Sequence, residues 1–178
     1  MTPSGEDGVA MKTLIVSCLE QVPHLVERFH PDRLLSISAI PETPGYMQRS
    51  HHRVLNFADI DTPTRTNLRF AAKPEDIEVI RSLKDDETVL INCRLGQRRS
   101  PTAALIVLWA LYPGREPEWV ERIHAQAPYV EFNRWMLRLA DPQQASRVQN
   151  RPRVLPPKGC FLVLDLDAMD GSKDPRSE

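Results

Sequence analysis

The sequence predicts an α/β domain, a central and mostly parallel sheet of four to five strands flanked by helices. Three observations predict it. Short β-rich apolar runs alternate with segments of helical spacing in the order β-α-β-β-α-β-α-α-α, the pattern of a sheet covered by helices. One apolar run, Val89-Leu90-Ile91, passes through a glycine-containing loop, Cys93 to Ser100, into a strongly helical run, Thr102 to Leu111. The chain of 178 residues, 41% hydrophobic and 26% charged, has the size and balance of one globular domain with a full core.

Taken in order, residues 1–11 are polar and are expected to form a disordered leader without the apolar centre of a signal peptide. Thr13 to Ser17 reads as a first buried strand. Cys18 to Phe29 places Leu19, Val22, Leu25, Val26 and Phe29 at helical spacing, and Pro23 suits a helix start. Leu34 to Ile40 reads as the second strand, Pro41 to Arg53 as a loop, and Val54 to Phe57 as the third strand. Ala58 to Arg69 reads as a polar surface loop. Lys73 to Leu83 is an expected helix: Pro74 fits its first turn, Glu75 and Asp76 suit the N-terminal dipole, and Ile77, Ile80 and Leu83 share a face. Val89 to Asn92 is the strand that delivers Cys93.

After the loop, Pro101 is expected at the first helical position, and Ala103 to Leu111, apolar nearly all round, predicts a buried central helix. Pro117 to Gln126 and Glu131 to Leu139 predict two more helices, with Trp109, Trp119 and Trp135 directed to the core. A domain over residues 12–141 is therefore expected. Residues 142–178 form a C-terminal extension with a Pro-rich segment, Arg151 to Pro157, and an apolar run, Phe161 to Leu166, that suits a strand at a sheet edge.

Composition narrows the function. The formal net charge of −1 gives no global basic field for nucleic acid. No apolar run reaches the ~20 residues of a membrane span. Three widely spaced cysteines form neither a disulfide framework nor a paired metal motif, so no metal and no cofactor is expected. A cytoplasmic location is expected, where a free reactive thiol survives. Oligomeric state is not legible.

The chemistry concentrates in Cys93-Arg94-Leu95-Gly96-Gln97-Arg98-Arg99-Ser100. A strand, a glycine loop and a helix start aim backbone N–H groups and a helix N-terminus at one point, which makes an anion site. A thiol attacks phosphorus as the thiolate, yet free cysteine, with a pKa of ~8.5, is mostly protonated at neutral pH. Helix N-termini, backbone N–H groups and neighbouring cations favour the thiolate, and this loop offers Cys93 all three. Arg99 lies six positions after Cys93, and a loop wrapped around Gly96 would turn its planar guanidinium onto phosphate oxygens. Ser100 is placed to donate to the sulfur. A carboxylate must protonate the leaving group and then activate water, and Asp59 and Asp61 are the candidates. Cys18 and Cys160 lack cationic neighbours and read as structural. His51 and His52 are adjacent on a strand, point to opposite faces and have no further ligands near in sequence.

Cys93 to Arg99 forms a Cys-x5-Arg signature followed by Ser100 and a helix. With the early strand, Leu34-Leu35-Ser36-Ile37 and the segment Leu55-Asn56-Phe57-Ala58-Asp59-Ile60, it resembles the protein tyrosine phosphatase superfamily, on the side of its small dual-specificity and bacterial tyrosine-phosphatase-like members. The resemblance covers roughly Thr13 to Ala140. It implies a phosphatase-like fold and metal-free phosphoester hydrolysis through a phosphocysteine. Carried over, Cys93 is the nucleophile, Arg99 the phosphate clamp, Ser100 an assistant, Asp59 the general acid with Asp61 second. The backbone of Arg94, Leu95, Gly96, Gln97, Arg98 and Arg99 would bind phosphate. The implied partner is a phosphorylated protein or a small polyanionic phosphoester.

Two departures stand out. Asn92 replaces the usual histidine before the cysteine, and Leu95, Gln97 and Arg98 replace small residues. Arg94 and Arg98 add positive charge suited to a polyanionic substrate. Two other functions fit the same loop. A rhodanese-like sulfurtransferase has a similar active loop, although Leu34 to Ile40 lacks its Asp-Val-Arg strand. A pseudophosphatase that binds phosphorylated ligands without turnover fits Asn92.

Overall fold

A computed structural model describes residues 10–40 and 44–169. The leader expected at 1–11 and the end of the C-terminal extension, from residue 170, lie largely outside these residues. Five strands form one sheet in the order β3-β2-β4-β1-β5: β1 Thr13–Cys18, β2 Arg33–Ser38, β3 His52–Asn56, β4 Thr88–Cys93 and β5 Phe161–Asp165. The first four run parallel, and β5 pairs antiparallel with β1 at the edge. The mostly parallel α/β sheet expected from the sequence is the one observed.

The central strands β1, β2 and β4 are buried along nearly their whole length, as the continuous apolar runs of a sheet covered on both faces require. Helix α1, Val22–Phe29, covers one face, where Val22 and Leu25 pack on Ile15, Leu34 and Leu90. On the other face lie α2, Pro74–Ser82, α3, Arg99–Leu111, α4, Glu116–Gln126, and α5, Arg134–Ala140. The central helix α3 is buried from Ser100 to Trp109, in line with its all-round apolar sequence. Two short helices follow, α6 Pro142–Ala145 and α7 Leu166–Met169.

Several boundaries differ from the sequence expectation. Helix α3 begins at Arg99, so Pro101 sits third in the helix rather than first. The first turn tolerates this because its N–H groups have no intrahelical acceptor. Helix α5 begins at Arg134 rather than Glu131, because Asn133 caps it by accepting from the Met136 N–H. The Glu131 and Phe132 N–H groups are drawn instead to the Gln97 carbonyl and the Asn150 side chain. Strand β2 stops at Ser38, and β3 starts at His52, inside the expected loop. Trp109 and Trp119 are buried, whereas Trp135 is half-buried and donates its indole N–H to the Ala72 carbonyl.

The run at 161–166 belongs to the sheet itself. Leu162 and Leu164 are buried in the main core, and Ser17 pairs with Phe161. The parallel strands place their carboxyl ends, and the loops that follow them, along one edge of the sheet. The antiparallel β5 begins at that same edge.

Candidate active site

Cys93 ends β4 at this carboxyl edge, and its side chain is only 3% exposed. The loop after it turns back at Gly96, whose φ is +67°. A Cβ on Gly96 would lie 2.6 Å from the Cys18 nitrogen and 2.8 Å from the Ser17 carbonyl carbon. The loop thus rests directly on the end of β1, and glycine supplies both the left-handed backbone and the clearance.

The loop carbonyls are held from outside. Arg94 O accepts from the Leu19 N–H, Leu95 O from the Cys160 thiol, Gln97 O from the Glu131 N–H, and Arg98 O from the N–H and hydroxyl of Thr102. In a trans peptide the following N–H points opposite to the carbonyl. The N–H groups of Leu95, Gly96, Arg98 and Arg99 are therefore directed into the loop, with the N-terminus of α3 behind them. Converging N–H groups at a helix N-terminus are the elements from which anion cups are built.

Ser100 Oγ lies 3.1 Å from Cys93 Sγ and 3.4 Å from the Ser17 carbonyl. Its one proton turns to the sulfur when that sulfur is ionised. Arg99 is anchored by a 2.9 Å hydrogen bond from Nη1 to the Phe57 carbonyl, just past the end of β3. A cavity of about 40 Å³ brings Asp59, Cys93, Leu95, Gln97, Arg98 and Arg99 together.

The arginines divide their work. Arg94 is exposed at the rim. Arg98 turns to three carboxylates: Nε lies 2.9 Å from Asp59 Oδ2, Nη2 lies 3.1 Å from Asp61 Oδ1, and Nη1 pairs with Glu131. Burial pulls the Arg98 guanidinium down, but Asp59 and Glu131 outweigh it and hold it above its ordinary value. The other oxygen of Asp59 accepts from Asn133 Nδ2 at 2.8 Å, and Asp61 Oδ1 also accepts from the Arg134 N–H at 2.6 Å. Asp61 thereby serves the first turn of α5, whereas Asp59 borders the cavity.

Asn92 faces the opposite side of the sheet from Cys93. Its Oδ1 accepts from Ser36 Oγ at 2.7 Å, and Ser36 Oγ lies 2.9 Å from His52 Nε2. A polar chain thus crosses β4, β2 and β3 beneath a separate cavity of about 270 Å³, whose walls include Arg94 and Ile40. Burial pushes the His52 imidazole below its usual range.

The three cysteines lie side by side across the sheet. Cys18 pairs in register with Cys93, and the Cys18 N–H donates to the Cys160 carbonyl. All three are free and buried. Burial, reinforced by Cys18, pushes the Cys160 thiol up to about 11, in keeping with its role as donor to the Leu95 carbonyl.

Sequence reasoning missed Thr102, Glu131, Asn133, Ser36 and His52, which are remote in sequence and meet the site only through the fold. Asn133 offered one signal: it precedes a helical run, the place of a cap. Among the described residues no group of His, Cys, Asp and Glu could hold a metal ion.

Known structures share this arrangement of strands and helices. The PTP-2 phosphatase of Cydia pomonella superposes with a TM-score of 0.56 at 17% identity, covering 72% of this chain and 84% of its own. DUSP15 gives 0.54 at 16% identity over 78% of this chain and 94% of its own. The chain has the fold of the small dual-specificity phosphatases. A third structure of this phosphatase fold is the human tyrosine phosphatase-like serine/threonine/tyrosine-interacting protein, with a TM-score of 0.53 at 15% identity over 76% of this chain and 93% of its own. No protein-family model and no curated sequence matches the chain.

Proposed function

We propose that this chain hydrolyses phosphomonoesters, of a phosphorylated protein or of a small polyanionic ester, through a covalent phosphocysteine. The observation that carries the reading is the inward N–H groups of the loop around Cys93, flanked by Arg99. The substrate phosphoryl group enters the cup with its oxygens on the N–H groups and the Arg99 guanidinium, which meets them as a planar fork. Cys93 Sγ attacks phosphorus, and the bond from phosphorus to the ester oxygen breaks. That oxygen leaves with the proton of Asp59. Asp59 then takes a proton from water, the water oxygen attacks phosphorus, and the S–P bond breaks to release inorganic phosphate. The hydroxyl of Ser100 supports the departing thiolate.

Both carboxylate oxygens of Asp59 accept from donors, Oδ2 from Arg98 and Oδ1 from Asn133. This saturation favours a second reading, a protein that binds phosphorylated ligands without turnover. One protein of this fold is itself named for interaction rather than hydrolysis.

Hydrolysis of an aryl phosphate in the presence of chelator, by wild type and by Cys93→Ser, tests the proposal. Metal-independent turnover lost in Cys93→Ser supports it. A wild type that binds phosphopeptide yet turns over no phosphoester favours the second reading, and activity abolished by chelator overturns the mechanism.

A further inference from the structure

Every large apolar side chain that stands exposed among the described residues lies at the carboxyl edge of the sheet, around the cup. Leu95, 57% exposed, belongs to the loop itself. Val154 and Leu155, the latter 78% exposed, belong to the Pro-rich segment, and the Val154 carbonyl accepts from Gln97 Nε2 of the loop. Phe161 pairs with Ser17 at the start of β5 and follows Cys160, the donor to the Leu95 carbonyl. Phe70 and Leu68 stand on the turn whose Phe70 carbonyl accepts from Ala58, next to Asp59. Ile40 borders the cavity shared with Arg94.

Cations accompany these apolar side chains. The apolar edge carries the exposed cations Arg65, Arg69, Arg94, Arg153 and Lys158, and Arg69 lies over the Phe70 ring. Of the acids there, Asp59, Asp61 and Glu131 are gathered on Arg98, which leaves Glu20, beside Leu19, and Glu75, in the first turn of α2, exposed. The opposite edge carries Asp32, Asp85 to Glu87 and Asp165 together with Lys12, Arg33 and Lys84, and there Glu87 pairs with Lys12 and Asp86 with Arg33. Exposed cations standing beside exposed apolar side chains are what distinguish the carboxyl edge.

We infer that the carboxyl edge docks on a lipid bilayer bearing anionic headgroups, with the Cys93 cup facing the headgroup layer. A protein partner would be met by a contiguous apolar centre depleted of charge. Here small groups of apolar side chains, Leu68 with Phe70 and Val154 with Leu155, are interspersed with Arg69, Arg94, Arg153 and Lys158 around the recessed cup. Apolar side chains that enter the headgroup boundary beside cations that meet lipid phosphates make an interfacial surface. Docking of this kind needs no spanning segment, and no described helix is long and apolar enough to cross a membrane. The docking does not depend on Cys93 turning over.

Sedimentation of the full chain with vesicles of phosphatidylcholine, alone or mixed with phosphatidylserine, tests the inference. The chain binds the anionic vesicles at least about tenfold more tightly, and salt weakens the binding. Phe70→Ser with Leu155→Ser, and separately Arg153→Ala with Lys158→Ala, each weaken it about tenfold or more, with melting temperature and aryl phosphate hydrolysis unchanged. Equal affinity for neutral and anionic vesicles, or binding indifferent to both pairs, overturns it. So does a chain that ignores vesicles and instead forms a dimer, or a complex with phosphopeptide, that Phe70→Ser with Leu155→Ser disrupts. The Cys93→Ser protein binds vesicles as wild type does. A protein that docks yet hydrolyses nothing therefore defeats the proposed chemistry alone, and one that hydrolyses yet ignores vesicles defeats the docking alone.

Discussion

Arg98 and Asp59 are joined across the rim of the cup, with Arg98 Nε 2.9 Å from Asp59 Oδ2. The same guanidinium holds Asp61 and Glu131, so one loop residue ties the Cys93 loop to the segment after β3 and to the approach to α5. An arginine in the Cys93 loop thus orders the segment that carries Asp59 and Asp61.

Replacement of Arg98 by Met leaves three neighbouring carboxylates without their shared cation. The charges are partly exposed, so the loss of stability is expected at about 1–3 kcal/mol, less than for a fully buried pair. The segment carrying Asp59 then shifts, and kcat on an aryl phosphate falls about tenfold or more with a smaller change in KM. Arg98→Lys does not restore the rate, because a single ammonium cannot reproduce the three-pronged contact. Thermal melts and steady-state kinetics check both effects.

Asp59 and Asp61 are expected to separate on mutation. Asp59→Ala lowers kcat by about 10²–10³, the scale of a lost general acid. Asp61→Ala costs less in rate and more in stability, because Asp61 accepts from the Arg134 N–H at the start of α5. Equal rate losses would contradict the assignment of the acid to Asp59.

Gly96→Ala is expected to open the cup. The left-handed backbone alone costs a residue with a Cβ about 1–2 kcal/mol, and the new methyl group would meet the backbone of Ser17 and Cys18 below van der Waals distance. Activity should vanish while far-UV circular dichroism stays near that of wild type. Loss of phosphate or vanadate binding, read by titration, distinguishes a deformed loop from a slowed chemical step.

Stability is expected to fall as pH drops below about 6.5. Burial lowers the proton affinity of His52. For His124, burial and then the Arg151 charge outweigh the opposing Val130 backbone and Glu121. Unfolded imidazoles take up protons near their ordinary value of about 6.5, while the folded ones resist until lower pH. The unfolded state then binds more protons, so stability is full above that value and declines through the window beneath it. His124→Phe keeps an aromatic ring against Phe132 and should flatten part of this decline in melts across pH. An unchanged slope would sink the assignment.

The strand and helix order was legible before the fold because local rules govern it. Buried strands announce themselves as short apolar runs, and Pro23, Pro74 and Pro117 mark first turns where a missing N–H costs nothing. The spacing from Cys93 to Arg99 was legible for the same reason: strand, glycine turn and helix start are contiguous in the chain, so their geometry follows from local backbone preference.

Tertiary structure decided where the side chains of that loop point. Arg98 reads in sequence as another cation for substrate, and folding turns it to Asp59, Asp61 and Glu131, tens of residues away. Cys18 and Cys160 read as structural cysteines without cationic neighbours, and sheet order sets them in a row with Cys93. His52 reads as half of a bare pair, and parallel pairing brings it to Ser36 and Asn92. The sequence alone determined the sheet and the strand, glycine loop and helix that carry Cys93. The partners of its arginines, the polar chain under Asn92 and the apolar, cationic rim came only from the tertiary structure, because long-range strand pairing, rather than any local propensity, brings those residues together.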